Sequence, residues 1–406
     1  MWKSTLDCQK VVDIRLKTTV FLGCGAINKI DDIATEMSAK KIDKVIIVTG
    51  KSAYKRTGAW NVVVKALENN SIEYVLYDKS MPNPTVDQVD EAAAMGREFG
   101  AQLVIGIGGG SAIDTAKSAA IIMANPEQDA RALYNFEFIP TEAVPIVAVN
   151  LTHGTGTEVN RVAVASIPES NHKPAIVYDC IYPWYSIDDP NLMISLSEFQ
   201  TLSTSVDAVN HAIEAATTLC NSPFSVQSAA ETIAIVAEYL PKAIKNPNDT
   251  NARYWLTYAA LMAGASFDNG LLHITHALEH PLSALHPEFT HGAGLGMLLP
   301  AVVKEIFEQS KDVLAYILKP IVGNVDTNKA NAAEQFEIKI EEWLFSLGLT
   351  DKLSDEGFTA KDVENLTNLA FTTPSLDVLL SLSPIAMNAE NVANIYKNSL
   401  FAKCAK

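Results

Sequence analysis

Positive charge is scarce in this chain of 406 residues: 31 Lys and Arg stand against 47 Asp and Glu, a formal net charge of −16. That balance excludes nucleic acid or an anionic membrane surface as the main partner. Cysteine is also sparse. Cys8, Cys24, Cys180, Cys220 and Cys404 are dispersed without a CxxC pair, so free thiols in a reducing compartment are expected. No apolar run approaches the ~20 residues that span a bilayer. The first residues lack the apolar core of a signal peptide, and a cytoplasmic location is expected. Internal repeats and low-complexity segments are missing too. Histidine is rare at eight residues, yet six of them fall in two short segments.

What is present is a large globular chain, 48% hydrophobic and 19% charged, too long for one ordinary core. The first half alternates short β-rich runs with helical periods. Val45–Val48, Tyr74–Tyr77, Leu103–Ile107 and Pro145–Val149 read as strands, with helices up to about Asn69, over 86–99 and from Ser111. Strands separated by helices predict a parallel sheet wrapped in helices. After Asp188-Asp189-Pro190 the β-branched runs give way to Ala- and Leu-rich helical periods, such as 225–240 and 252–266, with breaks at Asn191 and over Asn246–Asp249. Two domains follow: an α/β domain over 1–188 and an all-helical domain over 189–406.

The strand at 103–107 runs into Gly108-Gly109-Gly110-Ser111-Ala112-Ile113-Asp114-Thr115-Ala116-Lys117. Glycines between a strand and a helix bring backbone N–H groups and the positive end of the helix close to a ligand, which suits a pyrophosphate. The run is neither GxGxxG nor a Walker motif. The plainer reading is a tight turn with Ser111 capping the helix.

The histidine segments read Asp207-Ala208-Val209-Asn210-His211-Ala212-Ile213-Glu214 and, over 273–292, His-Ile-Thr-His-Ala-Leu-Glu-His-Pro-Leu-Ser-Ala-Leu-His-Pro-Glu-Phe-Thr-His-Gly. Asp207 and His211 are four apart and share a helix face, as do His276 and His280. One carboxylate and several imidazoles aimed at one point hold Fe(II) or Zn(II). A single histidine on an apolar helix is usually a satisfied core residue, but the set reinforces itself.

Together with Met81-Pro82-Asn83-Pro84-Thr85, Gly154-Thr155-Gly156-Thr157-Glu158 and Asp189-Pro190, these motifs resemble the iron-containing (group III) alcohol dehydrogenases over nearly the whole chain, in the butanol-dehydrogenase and aldehyde-reductase branch. The resemblance implies a dehydroquinate synthase-like fold with a Rossmann-like nucleotide domain. Asp207, His211, His276 and His291 would be the metal ligands, His280 a catalytic histidine beside the substrate, and the assembly a homo-oligomer, dimer or larger. It also implies cofactor contacts at Asn83, Gly108, Gly109, Gly110, Ser111, Asp114, Thr152, Thr155 and Lys173. The gap from His280 to His291 is eleven, one longer than this family leads us to expect, so a local bulge over 285–290 is predicted. The segment Asn150-Leu151-Thr152-His153-Gly154 departs from the family's Pro-Thr-Thr-Ala-Gly, and His153 is left between approaching the cofactor and filling space. His273, three residues before His276, reads either as a support behind that ligand or as a helix-surface or pocket-wall residue, and His286 has no chemical role.

Where the family carries an acid after the strand at 45–48, this chain has Gly50, followed by Lys51, Ser52 and Lys55. A carboxylate there would accept from a ribose 2′-OH and repel a 2′-phosphate, so NADP(H) is favoured over NAD(H). Asp78, after the next strand, is a substitute partner for the 2′-OH. The expected activity is hydride transfer between NADP(H) and a small primary alcohol or aldehyde. Phe267, Leu271, Leu272 and Leu278 are expected to form apolar surroundings for an uncharged substrate. The rivals are a zinc polyol dehydrogenase of the glycerol-dehydrogenase type and a lyase resembling dehydroquinate synthase. The lyase needs basic residues to hold an acidic, phosphorylated sugar near the ligands, and none cluster there.

Overall fold

The computed structural model describes residues 2–6 and 9–405, so the free-thiol expectation for Cys8 lies outside it; Cys24, Cys180, Cys220 and Cys404 are unpaired. Eight strands are present among the described residues: β1 Thr19–Leu22, β2 Lys44–Gly50, β3 Glu73–Ser80, β4 Leu103–Gly108, β5 Ile146–Asn150, β6 Val162–Val164, β7 Ala175–Val177 and β8 Tyr185–Asp188. Six of them form one sheet in the order β1-β8-β5-β4-β2-β3, with every neighbouring pair parallel. The expected strands are present. β1, β8 and the β6–β7 hairpin were not foreseen, because each is three or four residues long and takes its pairing from distant partners.

A parallel sheet buried on both faces needs apolar side chains on both sides of each strand. In β2, Val45 and Ile47 pack into the core on one face with Ile105, Ile107, Val147 and Val149. Ile46 and Val48 pack on the other face with Val104, Ala116 and Ala120. Each such burial contributes roughly 1.5–3 kcal/mol before chain entropy. The helix Val86–Phe99 occupies the expected span for a local reason. Thr85 and Gln88 form a capping box at its start, and Gly100, at φ 77°, ends it.

From Glu198 onward the described residues contain helices and no strands. Glu198–Thr217, Pro223–Lys245, Thr250–Gly270, Ile274–Leu285 and His291–Ile317 share a second core that includes Val206, Val209, Ile274, Leu278 and Leu298. Leu278 therefore belongs to the helical core and not to the apolar surroundings expected for a substrate. No helix of the described residues is long and apolar enough to cross a membrane.

The two halves meet through backbone contact. A Cβ on Gly154 would lie 2.6 Å from the Thr204 carbonyl, and one on Gly156 would lie 2.4 Å from Cα of Gly264. The loop after β5 can reach the helices Glu198–Thr217 and Thr250–Gly270 only with glycine at these two positions. That junction sets the strand ends, and the loops they carry, against the histidine-bearing helices.

Candidate metal and cofactor site

Because all six strands run the same way, Gly50, Ser80, Gly108, Asn150 and Asp188 come to one edge of the sheet, where ligands of such sheets bind. Gly108, Asn150 and Asp188 are in register across β4, β5 and β8, and the Asn150 amide donates to Asp188 at 2.9 Å. The helix after β4 spans Gly110–Ala124 with Gly109 at its N-cap. Ser111 is thus the second helical residue and does not cap it. The open N–H groups of this helix N-terminus point out of the strand edge. Cβ atoms on Gly109 and Gly110 would lie 2.8 and 2.6 Å from Thr152 and Thr155. These glycines therefore admit two threonines, and the contact brings four of the expected cofactor residues together.

Asp114 and Lys117 serve the junction. Asp114 accepts from Thr157 Oγ1 at 2.6 Å and from the Val164 N–H at 3.1 Å. Burial pushes its carboxyl up to about 6 against the pull of Lys117. The fully buried Lys117 ammonium donates to Thr157, Asn160 and Val162. The Asp-x-x-Lys spacing thus fastens the loop over 157–162 from below. Asn83, at φ 52°, donates its amide to the carbonyls of Pro287 and Phe289. It ties the turn after β3 to the segment 286–290, where the expected bulge lies beyond the helix end at Leu285. Lys51 and Ser52 are exposed at the end of β2, and a Cβ on Gly50 would lie 3.2 Å from the Ser80 carbonyl. Asp78 accepts from the Tyr54 hydroxyl at 3.4 Å.

On the helical side, Glu198–Thr217 carries Asp207 and His211 on one face, Ile274–Leu285 carries His276 and His280, and His291 opens the next helix. One oxygen, Asp207 Oδ1, has three imidazole Nε2 atoms around it: His211 at 3.4 Å, His276 at 3.7 Å and His291 at 3.9 Å. A tetrahedral cation with bonds of ~2.0–2.2 Å has ligand–ligand edges of about 3.4 Å, close to these spacings. Asp207 Oδ1 and His276 Nε2 are buried without a hydrogen-bond partner. Buried polar atoms are rarely left so, and a divalent cation would satisfy both. The residues therefore fit a metal.

The electrostatics agree. Burial pushes the Asp207 carboxyl up, but His211, His276 and His291 outweigh it and hold it at about 2. Burial pulls His211 down to about 4. His276 is also pulled down by burial, yet Glu214 and Asp207 override this and raise it to about 9; carboxylates that favour a proton there favour a metal cation equally. His280 donates Nδ1–H to the Lys173 carbonyl at 2.8 Å, which leaves Nε2 as an acceptor. Burial and the Lys173 ammonium keep this ring well below the usual imidazole range. His280 groups with Glu279 and His291, while Asp207, His276 and His291 form the other cluster. The Lys173 ammonium lies 3.5 Å from Glu279 Oε2 and from His291 Nδ1, the ring nitrogen that does not face Asp207.

Two functional residues were quoted in the sequence without a role. Glu214 Oε2 bonds His276 Nδ1, and its Oε1 accepts from the backbone N–H groups of His273, Thr275 and His276. Glu279 Oε2 bonds His291 Nδ1. Their signal was legible: His211-Ala-Ile-Glu214 and His276-Ala-Leu-Glu279 repeat one pattern. Among the remaining histidines, His273 is buried, bonds Thr217 Oγ1 at 2.9 Å and precedes the helix bearing His276 as its N-cap. His286 stacks on Phe358. His153 is fully buried between Ser205, 3.2 Å from Nδ1, and Arg253, 2.8 Å from Nε2. It joins the two halves and does not face a cofactor. Phe267 stacks on His211 at 4.4 Å between centroids, an apolar wall beside the ligands.

Residues 17–190 match the family model described as iron-containing alcohol dehydrogenase, and residues 201–400 match the C-terminal model of the same family. The chain is 55% identical over 399 residues to the long-chain primary alcohol dehydrogenase AdhA of Thermoanaerobacter ethanolicus, covering 98% of this chain and 100% of that one. It is 29% identical to the NAD-dependent methanol dehydrogenase of Bacillus methanolicus, covering 93% and 97% of the two chains. Among solved structures, the NADH-dependent butanol dehydrogenase A of Thermotoga maritima superposes with a TM-score of 0.88 at 27% identity, covering 97% and 99%.

Proposed function

The chain belongs to the iron-containing alcohol dehydrogenase family and is an alcohol/aldehyde oxidoreductase, and from that premise we propose that it interconverts unbranched primary alcohols and aldehydes with NADP(H) as cofactor. The observation that carries the chemistry is the convergence of three imidazole nitrogens on Asp207 Oδ1. Asp207, His211, His276 and His291 would hold Fe(II) or Zn(II), which when bound polarises the carbonyl and stabilises negative charge on the substrate oxygen. A nicotinamide cofactor, when bound, would supply the hydride chemistry. The helix N-terminus at Gly110 and Ser111 would hold the pyrophosphate through its backbone N–H groups. His280, with its proton on Nδ1 held by the Lys173 carbonyl, offers Nε2 to take or return the alcohol proton.

The NADP(H) preference rests on Gly50, which leaves no carboxylate at the end of β2, and on exposed Lys51 and Ser52 beside it. Gly50 also has a packing reason, since the Ser80 carbonyl crowds its Cβ position. Substrate length is the second open variable: the 55% identical relative bears the name of a long-chain primary alcohol dehydrogenase, whereas the family resemblance implied a small substrate.

The test is anaerobic loading with Fe(II), followed by NADPH and NADH oxidation with linear aldehydes of two to ten carbons. Turnover with NADPH favoured at least tenfold supports the reading, and the trend of kcat/KM along the series decides between a short and a long substrate. NADH preference would remove the argument from Gly50 alone. Silence with both cofactors on metal-loaded protein would refute aldehyde reduction and direct attention to a polyol or a lyase substrate.

A further inference from the structure

We infer that Glu214 and Glu279 are positioning residues that fix which nitrogen of His276 and of His291 faces the metal, and that Glu214 does so far more rigidly. The inference rests on the metal reading above. Each carboxylate faces the Nδ1 of a ligand histidine carried by a later helix of the chain. An ionised carboxylate only accepts, so Nδ1 must carry a proton, and Nε2 is the nitrogen left to offer its lone pair to a metal. His211 has no such support: its Nδ1 is buried and unpaired, and the ring is held by stacking on Phe267 and on His276.

The two buttresses differ in what else they hold. Glu214 Oε1 is committed to three backbone N–H groups at the start of the helix bearing His276. Those groups cannot become acceptors, so both oxygens of Glu214 must remain oxygens. Among the described residues, Glu279 Oε1 meets only the hydroxyl of Ser283, which rotates and serves as donor or acceptor alike. Lys173 stands 3.5 Å from Glu279 Oε2 as a second cation.

A carboxylate-to-amide change therefore reads the difference. In Glu214→Gln the amide oxygen stays on the backbone cap and the NH2 group faces His276 Nδ1. The ring proton is driven to Nε2 and blocks a metal ligand. In Glu279→Gln the NH2 group turns to Ser283 and the oxygen keeps His291 Nδ1–H, so only the charge is lost.

The experiment measures Co(II) and Zn(II) dissociation constants by chelator competition for wild type and both variants, with Co(II) absorption as the geometric signature. Metal-free proteins are followed by 15N histidine spectra and thermal unfolding. Supporting metal affinities of ligand-bound histidines are worth about 10- to 100-fold each. Glu214→Gln should sit at or beyond the upper end, with altered Co(II) bands and loss of the His276 Nδ1-bound proton. Glu279→Gln should sit at the lower end with its Co(II) bands kept. Equal effects in the two variants, unchanged affinity, or a retained His276 Nδ1 proton in Glu214→Gln would overturn the inference. Should Glu214→Gln fail to fold, Glu279→Gln decides alone: affinity within threefold of wild type overturns its role. A wild-type protein that binds no divalent cation would instead sink the metal reading, while the histidine spectra still test the proton placement.

Discussion

Gly292→Ala is expected to open the metal site without replacing a ligand. Gly292 is the second residue of the helix that His291 begins, and a Cβ there would lie 2.0 Å from the Ser203 carbonyl oxygen and 3.4 Å from Asp207 Cβ. Cβ atoms in folded proteins essentially never approach closer than 3.0 Å, so the two backbones must part by at least 1 Å. Neither can yield by rotating a side chain, because Ser203 lies one turn before Asp207 in the helix Glu198–Thr217. His291 Nε2 already stands 3.9 Å from Asp207 Oδ1. Metal–ligand lengths tolerate only about ±0.2 Å, so a displacement several times larger removes His291 from the set. Overpacking of this kind costs roughly 1–3 kcal/mol, less up to ~1 kcal/mol recovered from the helix propensity of alanine. The variant should therefore fold. Its metal content after dialysis against a weak chelator, measured by plasma emission, should fall below a tenth of the wild-type value, and turnover with it. A variant that keeps one metal per chain at wild-type turnover would show that the clash is absorbed elsewhere and that the His-Gly pair has no role in holding the site.

Asp207→Asn should lose metal and activity together, while His280→Ala should keep the metal and lose about 10²–10⁴-fold in kcat; metal-free His280→Ala protein would refute this division of roles. Gly50→Asp should lower the NADPH-to-NADH ratio of kcat/KM by on the order of 100-fold, about 2.7 kcal/mol, by setting a carboxylate against the 2′-phosphate. A ratio unchanged in that variant would mean that the cofactor is read elsewhere, with Asp78 the next residue to test. His153 is held neutral, its ring pulled down to about 3 first by burial and then by Arg253. Its unfolded value is ~6.5, so the unfolded chain binds the extra proton and stability is lost as pH falls from about 6.5 toward 3. At pH 5 the loss is about 2 kcal/mol, and urea unfolding of His153→Gln should fall by that much less between pH 7 and 5. Parallel slopes for the two proteins would refute it.

How far the sequence could be read depends on whether a residue's partner is local or distant. β2 to β5 are legible because apolar runs between helical periods suffice to mark buried parallel strands. The helix at 86–99 is legible because its capping box and terminal glycine are local. β1 and β8 are four residues each, and only their pairing along Thr19–Leu22 and Tyr185–Asp188 makes them strands. The metal cluster is legible because helical spacing puts Asp207 beside His211 and His276 beside His280, and histidine is rare elsewhere. The roles of Asp114, Lys117 and His153 are not, since a nucleotide contact and a fastening between loops use the same polar groups. Glu214 and Glu279 fall between these cases. The spacing His-x-x-Glu places each glutamate one turn beyond a ligand histidine, which suggests that it serves that histidine. The folded chain crosses the pairs instead: Glu214 follows His211 but holds His276, and Glu279 follows His276 but holds His291. The helices Glu198–Thr217 and Ile274–Leu285 thus each carry candidate ligands and also the support for a candidate ligand on a later helix, so a change in either one shifts the histidines that converge on Asp207.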